Sequence, residues 1–135
     1  MNDTATKPKV LVVEDEEALQ RTMVDALREA GFEALSASDG EHGLELAQAR
    51  HPDLILLDII LPRRSGFEVL ETLKADEGTS DIPVIVLTNL ERISDVERML
   101  SLGATNYLVK ANYDIPDILG KIREVLEHHA VEQTR

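Results

Sequence analysis

An unbroken apolar run, Leu54-Ile55-Leu56-Leu57, ends in the carboxylate of Asp58 and continues through Ile59-Ile60-Leu61 to Pro62. A segment this short, without polar alternation, suits a strand covered on both faces, as at the centre of a parallel sheet. Asp58 then stands where a buried strand leaves the core. Taken alone, it reads as the end of a strand and the start of a turn. What the other strands carry at the same level decides whether it is more.

Similar runs recur along the chain. Lys9-Val10-Leu11-Val12-Val13 predicts a first buried strand, ending at Glu14-Asp15-Glu16-Glu17. From Ala18 to Ala30 the apolar positions follow a helical stripe, with Gly31 placed to stop it. Phe32 to Ser36 predicts a weaker strand at a sheet edge, Ser38-Asp39-Gly40 a turn, and Gly43 to Arg50 a short helix broken by His51-Pro52. After Pro62, a loop leads to a third helix marked by Phe67, Val69, Leu70 and Leu73. Pro83 to Leu87 is a further buried strand delivering Thr88. A fourth helix, about Ile93 to Leu102, sets Ile93, Val96, Met99 and Leu100 on one face, with Gly103 as its stop. Asn106 to Val109 is the fifth strand and hands over Lys110. The last helix begins near Ile115 or Pro116 and is expected to fray from His128.

Strand and helix alternate five times, which predicts an α/β fold with a parallel sheet between helical layers and right-handed crossovers. Ligands of such sheets sit at the carboxyl ends of the strands. Those ends carry Glu14 and Asp15, Asp58, Thr88 and Lys110. Each has a structural explanation, since acids and threonine cap helices and lysine is usually a solvated charge. Their joint arrival on one edge is harder to explain that way. Three carboxylates raise one another's pKa and call for a cation, and oxygen-only donors point to Mg2+ over zinc. Lys110 and the Thr88 hydroxyl suit phosphoryl oxygens, and a free carboxylate can form an aspartyl phosphate.

Composition removes other classes. The 135 residues are expected to form one domain at 9–131, with tails at 1–8 and 132–135. No cysteine is present, which excludes disulfides and thiolate chemistry. With 26 acidic against 14 basic residues the formal net charge is -12, disfavouring direct nucleic-acid or anionic-membrane binding. No apolar run approaches the roughly 20 residues of a membrane span, and a cytoplasmic location is expected. The four histidines, at 42, 51, 128 and 129, read as surface residues.

The chain resembles the receiver domain of bacterial two-component response regulators, with a single-domain, chemotaxis-regulator-like organisation. The matching segments are Val-Val-Glu-Asp-Glu-Glu at 12–17, Leu-Leu-Asp-Ile-Ile-Leu-Pro at 56–62, Gly66, Val-Leu-Thr at 86–88, Gly-Ala at 103–104 and Tyr-Leu-Val-Lys at 107–110. The resemblance implies a doubly wound, flavodoxin-like five-stranded sheet of order 2-1-3-4-5 flanked by five helices. It implies that Asp58 accepts a phosphoryl group from a histidine kinase or histidine phosphotransfer protein. Asp15, Asp58 and the Ile60 carbonyl would ligate Mg2+, with Glu14 acting through water, while Thr88 and Lys110 hold phosphoryl oxygens. Thr88 and Tyr107 would switch the surface of the fourth helix, fifth strand and fifth helix towards a downstream protein. No enzyme activity is implied beyond the domain's own phosphorylation and slow dephosphorylation.

Three departures shape these expectations. Ala111 follows Lys110 where the family usually has proline, often after a cis peptide. A non-proline cis bond costs about 2.5–4 kcal/mol, so a trans link and a displaced Lys110 are anticipated. Thr105-Asn106 replaces an acidic pair used in dimer salt bridges, although Arg123 remains, leaving a monomer or a weak phosphorylation-dependent dimer. Ile60 and Leu90 occupy the positions that tune water attack on the phosphoryl group, and being apolar they predict a long-lived phosphorylated state. The competing functions are a degenerate receiver binding without phosphorylation and a Mg2+-dependent phosphohydrolase, the latter lacking a second acid at Ile60.

Overall fold

The computed structural model describes residues 7–133. Five strands alternate with five helices: β1 (Lys9–Val13), α1 (Glu17–Glu29), β2 (Glu33–Ala37), α2 (Gly40–Arg50), β3 (Leu54–Leu57), α3 (Gly66–Ala75), β4 (Val84–Thr88), α4 (Ile93–Ser101), β5 (Asn106–Val109) and α5 (Ile115–Gln133). A short 3-10 turn at Lys110–Asn112 links the last strand and helix. The strands form one sheet ordered β2-β1-β3-β4-β5, and every pairing is parallel. The doubly wound architecture and the edge position of the second strand are therefore as expected.

The two-sided burial expected of the central strands is present and follows their period of two. Leu11, Val13, Ile55, Leu57, Val84 and Val86 enter one core layer. Their alternates, Val10, Val12, Leu54, Leu56, Ile85 and Leu87, enter the other. The first layer is completed by residues of α2, α3 and α4, and the second by residues of α1 and α5.

Local signals explain the element bounds, including those that differ from expectation. Helix α2 starts at Gly40, three residues before the expected Gly43, because Asp39 caps it: the His42 N–H donates to Asp39 Oδ1 at 2.7 Å. Ser65 and Glu68 form a capping box at the start of α3. Gly31 stops α1 with φ +98°, and Gly103 follows α4 with φ +107°. Helix α5 continues to Gln133, past the expected fraying from His128. Nothing after Gly120 breaks it, since no proline or further glycine occurs before the end of the chain. Residues 1–6 and 134–135 of the expected tails lie outside the described residues.

The expected apolar face of α4 is corrected. Met99 is buried, but Ile93 and Leu100 are 77% and 51% exposed. At about 100° per residue, the partly buried Asp95, Val96 and Leu102 centre the inward face near Met99. Ile93 and Leu100 then lie roughly a quarter to a third of a turn away. The stripe is real, but only its margin meets the sheet.

Gly66 connects this framework to the strand end that carries Asp58. Its N–H donates to the Ile59 carbonyl at 2.8 Å, and a Cβ there would collide with the Asp58 carbonyl and with Ile59 Cα. Gly66→Ala is expected to lower stability by about 1–3 kcal/mol, read as a lower urea midpoint. Gly120→Ala, where a Cβ meets nothing within 4 Å, is expected to raise stability by up to about 1 kcal/mol. Equal midpoints for the two variants would contradict the close-approach argument.

Candidate functional site

The carboxyl ends of β1, β3, β4 and β5 open on the same edge of the sheet. Glu14 and Asp15 follow β1, Asp58 follows β3, Thr88 ends β4 and Lys110 follows β5. Lys110 Nζ lies 2.8 Å from Glu14 Oε1 and 2.8 Å from Asp58 Oδ2. One cation thus ties three strand ends together. Every peptide bond among the described residues is trans, so the anticipated trans link after Lys110 holds. A 3-10 turn beginning at Lys110 follows β5, and from it the ammonium reaches both carboxylates.

Each acid is held differently. Asp58 is buried, and its Oδ1 accepts from the N–H groups of Ile59 at 2.7 Å and Ile60 at 3.3 Å. Glu14 is buried too, and its Oε2 accepts from the Glu16 N–H at 2.9 Å. Asp15 is exposed, and its carboxylate has no protein partner among the described residues. Oxygen atoms of Glu14, Asp15 and Asp58 all lie within 4.8 Å of one another. Burial pushes Glu14 above the ordinary carboxylate value, even though Lys110 and the Glu16 N–H favour its charged form. Burial alone would lower Lys110, but Asp58 and Glu14 together hold it above its ordinary value. Both directions describe a buried, like-charged acid pair that depends on its cation.

Three oxygen donors with one of them free and exposed suit a hard divalent cation. The described residues offer no comparable group of histidines or acids elsewhere.

The remaining candidate residues are Ile60 after β3, Thr88 and Leu90 at and after the end of β4, and Tyr107 in β5. Thr88 is fully buried, and its Oγ1 accepts from the Leu90 N–H at 3.4 Å. The Tyr107 hydroxyl donates to the Leu90 carbonyl at 2.7 Å, so Thr88, Leu90 and Tyr107 form one connected unit after β4. Leu90 is partly buried against the core. Ile60 is the opposite, with 59% of its surface exposed beside Asp58.

Gln20 escaped the sequence reading. From α1 its Nε2 donates to the carbonyls of Glu14 at 2.8 Å and Ala37 at 3.1 Å and to Ser38 Oγ at 3.1 Å. It braces the acidic loop against the end of β2. The one available signal was a polar amide on the helix turn that follows the acids. The backbone donors to Asp58 carried no residue-type signal at all.

Lys110→Met removes the shared cation from two buried carboxylates. Stability in metal-free buffer at neutral pH is expected to fall by about 3 kcal/mol. A carboxyl whose folded pKa is raised binds its proton more tightly when folded, so protonation favours folding. The deficit against wild type therefore narrows as pH falls through the raised Glu14 value towards 4.5. Parallel denaturation series across pH check this, and a deficit independent of pH would contradict it.

Comparison with known proteins gives a consistent answer. Residues 10–127 match the family model described as the response regulator receiver domain. The DNA-binding dual master transcriptional regulator RpaA of Synechocystis is 39% identical over 119 residues, covering 88% of this chain and 49% of the relative. The transcriptional regulatory protein HprR of Escherichia coli is 39% identical over 127 residues, covering 93% of this chain and 55% of the relative. The chain thus spans about half the length of these curated relatives. Among solved structures, a CheY-like receiver domain protein from Methanospirillum hungatei superposes with TM-score 0.88 at 27% identity, covering 94% of this chain and 99% of that one. Vibrio cholerae chemotaxis protein CheY4 gives TM-score 0.83 at 28% identity, covering 89% and 99%.

Proposed function

Because this chain belongs to the response regulator receiver domain family, a signalling module of two-component systems, we propose that Asp58 is its phosphoacceptor. The observation that carries this reading is the shared ion pair: Lys110 bridges Asp58 and Glu14 at 2.8 Å each, on the edge where Asp15 and Thr88 also end. In the reaction an Asp58 carboxylate oxygen attacks phosphorus. The new O–P bond forms as the P–N bond of a phosphohistidine breaks, and the electron pair left on the imidazole nitrogen takes up a proton. The Ile59 and Ile60 N–H groups hold the other carboxylate oxygen and orient the attack. Lys110 is within reach to follow the transferred charge onto a phosphoryl oxygen, and the Thr88 hydroxyl is the second donor.

Asp15, Asp58 and the Ile60 carbonyl would hold Mg2+ directly and Glu14 through water, and the ion would offset phosphoryl charge during transfer. The histidine donor belongs to a partner kinase or phosphotransfer protein, and the domain catalyses only its own phosphorylation and slow dephosphorylation. A new dianionic group on Asp58 draws the Thr88 hydroxyl towards it. Thr88, Leu90 and Tyr107 are hydrogen-bonded in series, so that movement reaches β5. The exposed Ile93 and Leu100 of α4 supply apolar contact area beside it for a downstream protein. The net charge of -12 favours a protein target over nucleic acid. No helix among the described residues is long and apolar enough to cross a membrane. The proposal includes action in the cytoplasm, as a monomer or a weak phosphorylation-dependent dimer.

Incubation with a small phosphodonor and Mg2+, followed by intact mass, is expected to add one phosphate to the wild type and none to Asp58→Asn. Failure of the folded wild type to gain phosphate would favour a receiver that binds without phosphorylation. The phosphorylated state should also be long-lived, because Ile60 and Leu90 cannot orient an attacking water. Loss of phosphate is expected to be faster in Ile60→Asn or Leu90→Glu, and unchanged decay in both would remove the shielding argument.

A further inference from the structure

Strand β2 is an edge of the sheet, and its pairing shows which backbone groups face outward. The Glu33 N–H donates to the Pro8 carbonyl at 2.9 Å, and the Ala37 carbonyl accepts from the Glu14 N–H at 3.0 Å. Residues 33, 35 and 37 therefore turn their backbone groups towards β1, while Ala34 and Ser36 turn theirs to the free edge. Arg28 of α1 guards one of them, with Nη2 donating to the Ala34 carbonyl at 3.3 Å. The Ala34 N–H and both Ser36 backbone groups have no protein partner among the described residues.

A cleft of about 590 Å³ lies along the start of this edge, lined by Lys7, Arg28 and Arg50, with the half-buried Leu35 as apolar surface. Glu33 is the single acid in its lining, and it is already paired with Arg50 at 3.1 Å. Three cations against one acid stand out on a chain whose formal net charge is -12. An edge strand with outward donors recruits an extended segment by main-chain pairing, and this charge pattern selects the sign of that segment.

We propose that the free edge of β2 is a docking site for an extended acidic peptide segment of a partner protein. The segment pairs with the backbone of Ala34 and Ser36. One of its carboxylates draws the Arg28 guanidinium off the Ala34 carbonyl, which frees that acceptor for the incoming strand. Lys7 and Arg50 hold further acidic side chains, and Leu35 meets apolar residues between them. The cationic cleft lies at the start of β2, and the strand's other end, at Ala37, meets the Glu14 N–H.

The test titrates the 15N-labelled chain with acetyl-Glu-Val-Glu-Val-Glu-Val-amide, with its lysine counterpart, and with the acidic peptide N-methylated at alternate residues. Shift changes centred on β2 and slowed solvent exchange of the Ala34 and Ser36 amides are expected with the acidic peptide. The Lys7→Ala/Arg50→Ala variant should bind it about tenfold more weakly, and the N-methylated peptide should give no amide protection. Absence of binding, perturbation away from β2, equal effects of the lysine peptide at β2, or undiminished binding of the N-methylated peptide would each overturn the proposal.

Discussion

Two buried carboxylates and one ammonium hold the functional edge of this molecule together. Glu14 and Asp58 leave adjacent strands of a sheet whose interior is aliphatic on both faces, and neither is free to hydrate fully. Lys110 answers both at 2.8 Å, and it comes from the far side of β4. The parallel registers end β1 and β3 at one level, Val13 opposite Leu57, and carry β5 past that level to Val109, opposite Thr88. A buried ion cluster of this kind adds little net stability, yet removing one member is costly. Its presence is what the proposed chemistry at Asp58 would require.

That cluster is also where packing and function meet. Gly66 lets α3 approach the Asp58 backbone closely, Gln20 steadies the acidic loop from α1, and the Ile59 and Ile60 amides hold one Asp58 oxygen. Asp58 is thus fixed by neighbouring backbone and by α3, and the acidic loop beside it by α1. The Thr88-Leu90-Tyr107 unit, by contrast, rests on a few hydrogen bonds in a loop, so it is the part of the edge best suited to move.

The sheet, and the polar residues at its carboxyl edge that make up the candidate site, were legible because each rests on a signal written in residue types. Short apolar runs gave β1, β3 and β4 with Glu14, Asp15, Asp58 and Thr88 at their ends, and Asn106 to Val109 gave β5 with Lys110 after it. What escaped depends on geometry between segments. The period of α4 is plain, but which side of the stripe meets the sheet depends on the helix's rotation, and Ile93 and Leu100 fall outside. The start of α2 depended on whether Asp39 would cap, since the same three residues also read as a turn. The missing proline after Lys110 suggested a trans link, which is present, but not the 3-10 turn at Lys110–Asn112 that follows β5. Gln20 has no motif, because its partners are carbonyls whose positions exist only in the folded chain.

The central claim is that Asp58, among three clustered acids, is the group that takes the phosphoryl. Borohydride reduction of the chain after treatment with a phosphodonor and Mg2+ converts an aspartyl phosphate to homoserine, and peptide mass spectrometry locates it. The account predicts homoserine at position 58 and intact acids at 14 and 15. Reduction at Asp15 or Glu14 instead, or none in a chain that has gained phosphate, would contradict it.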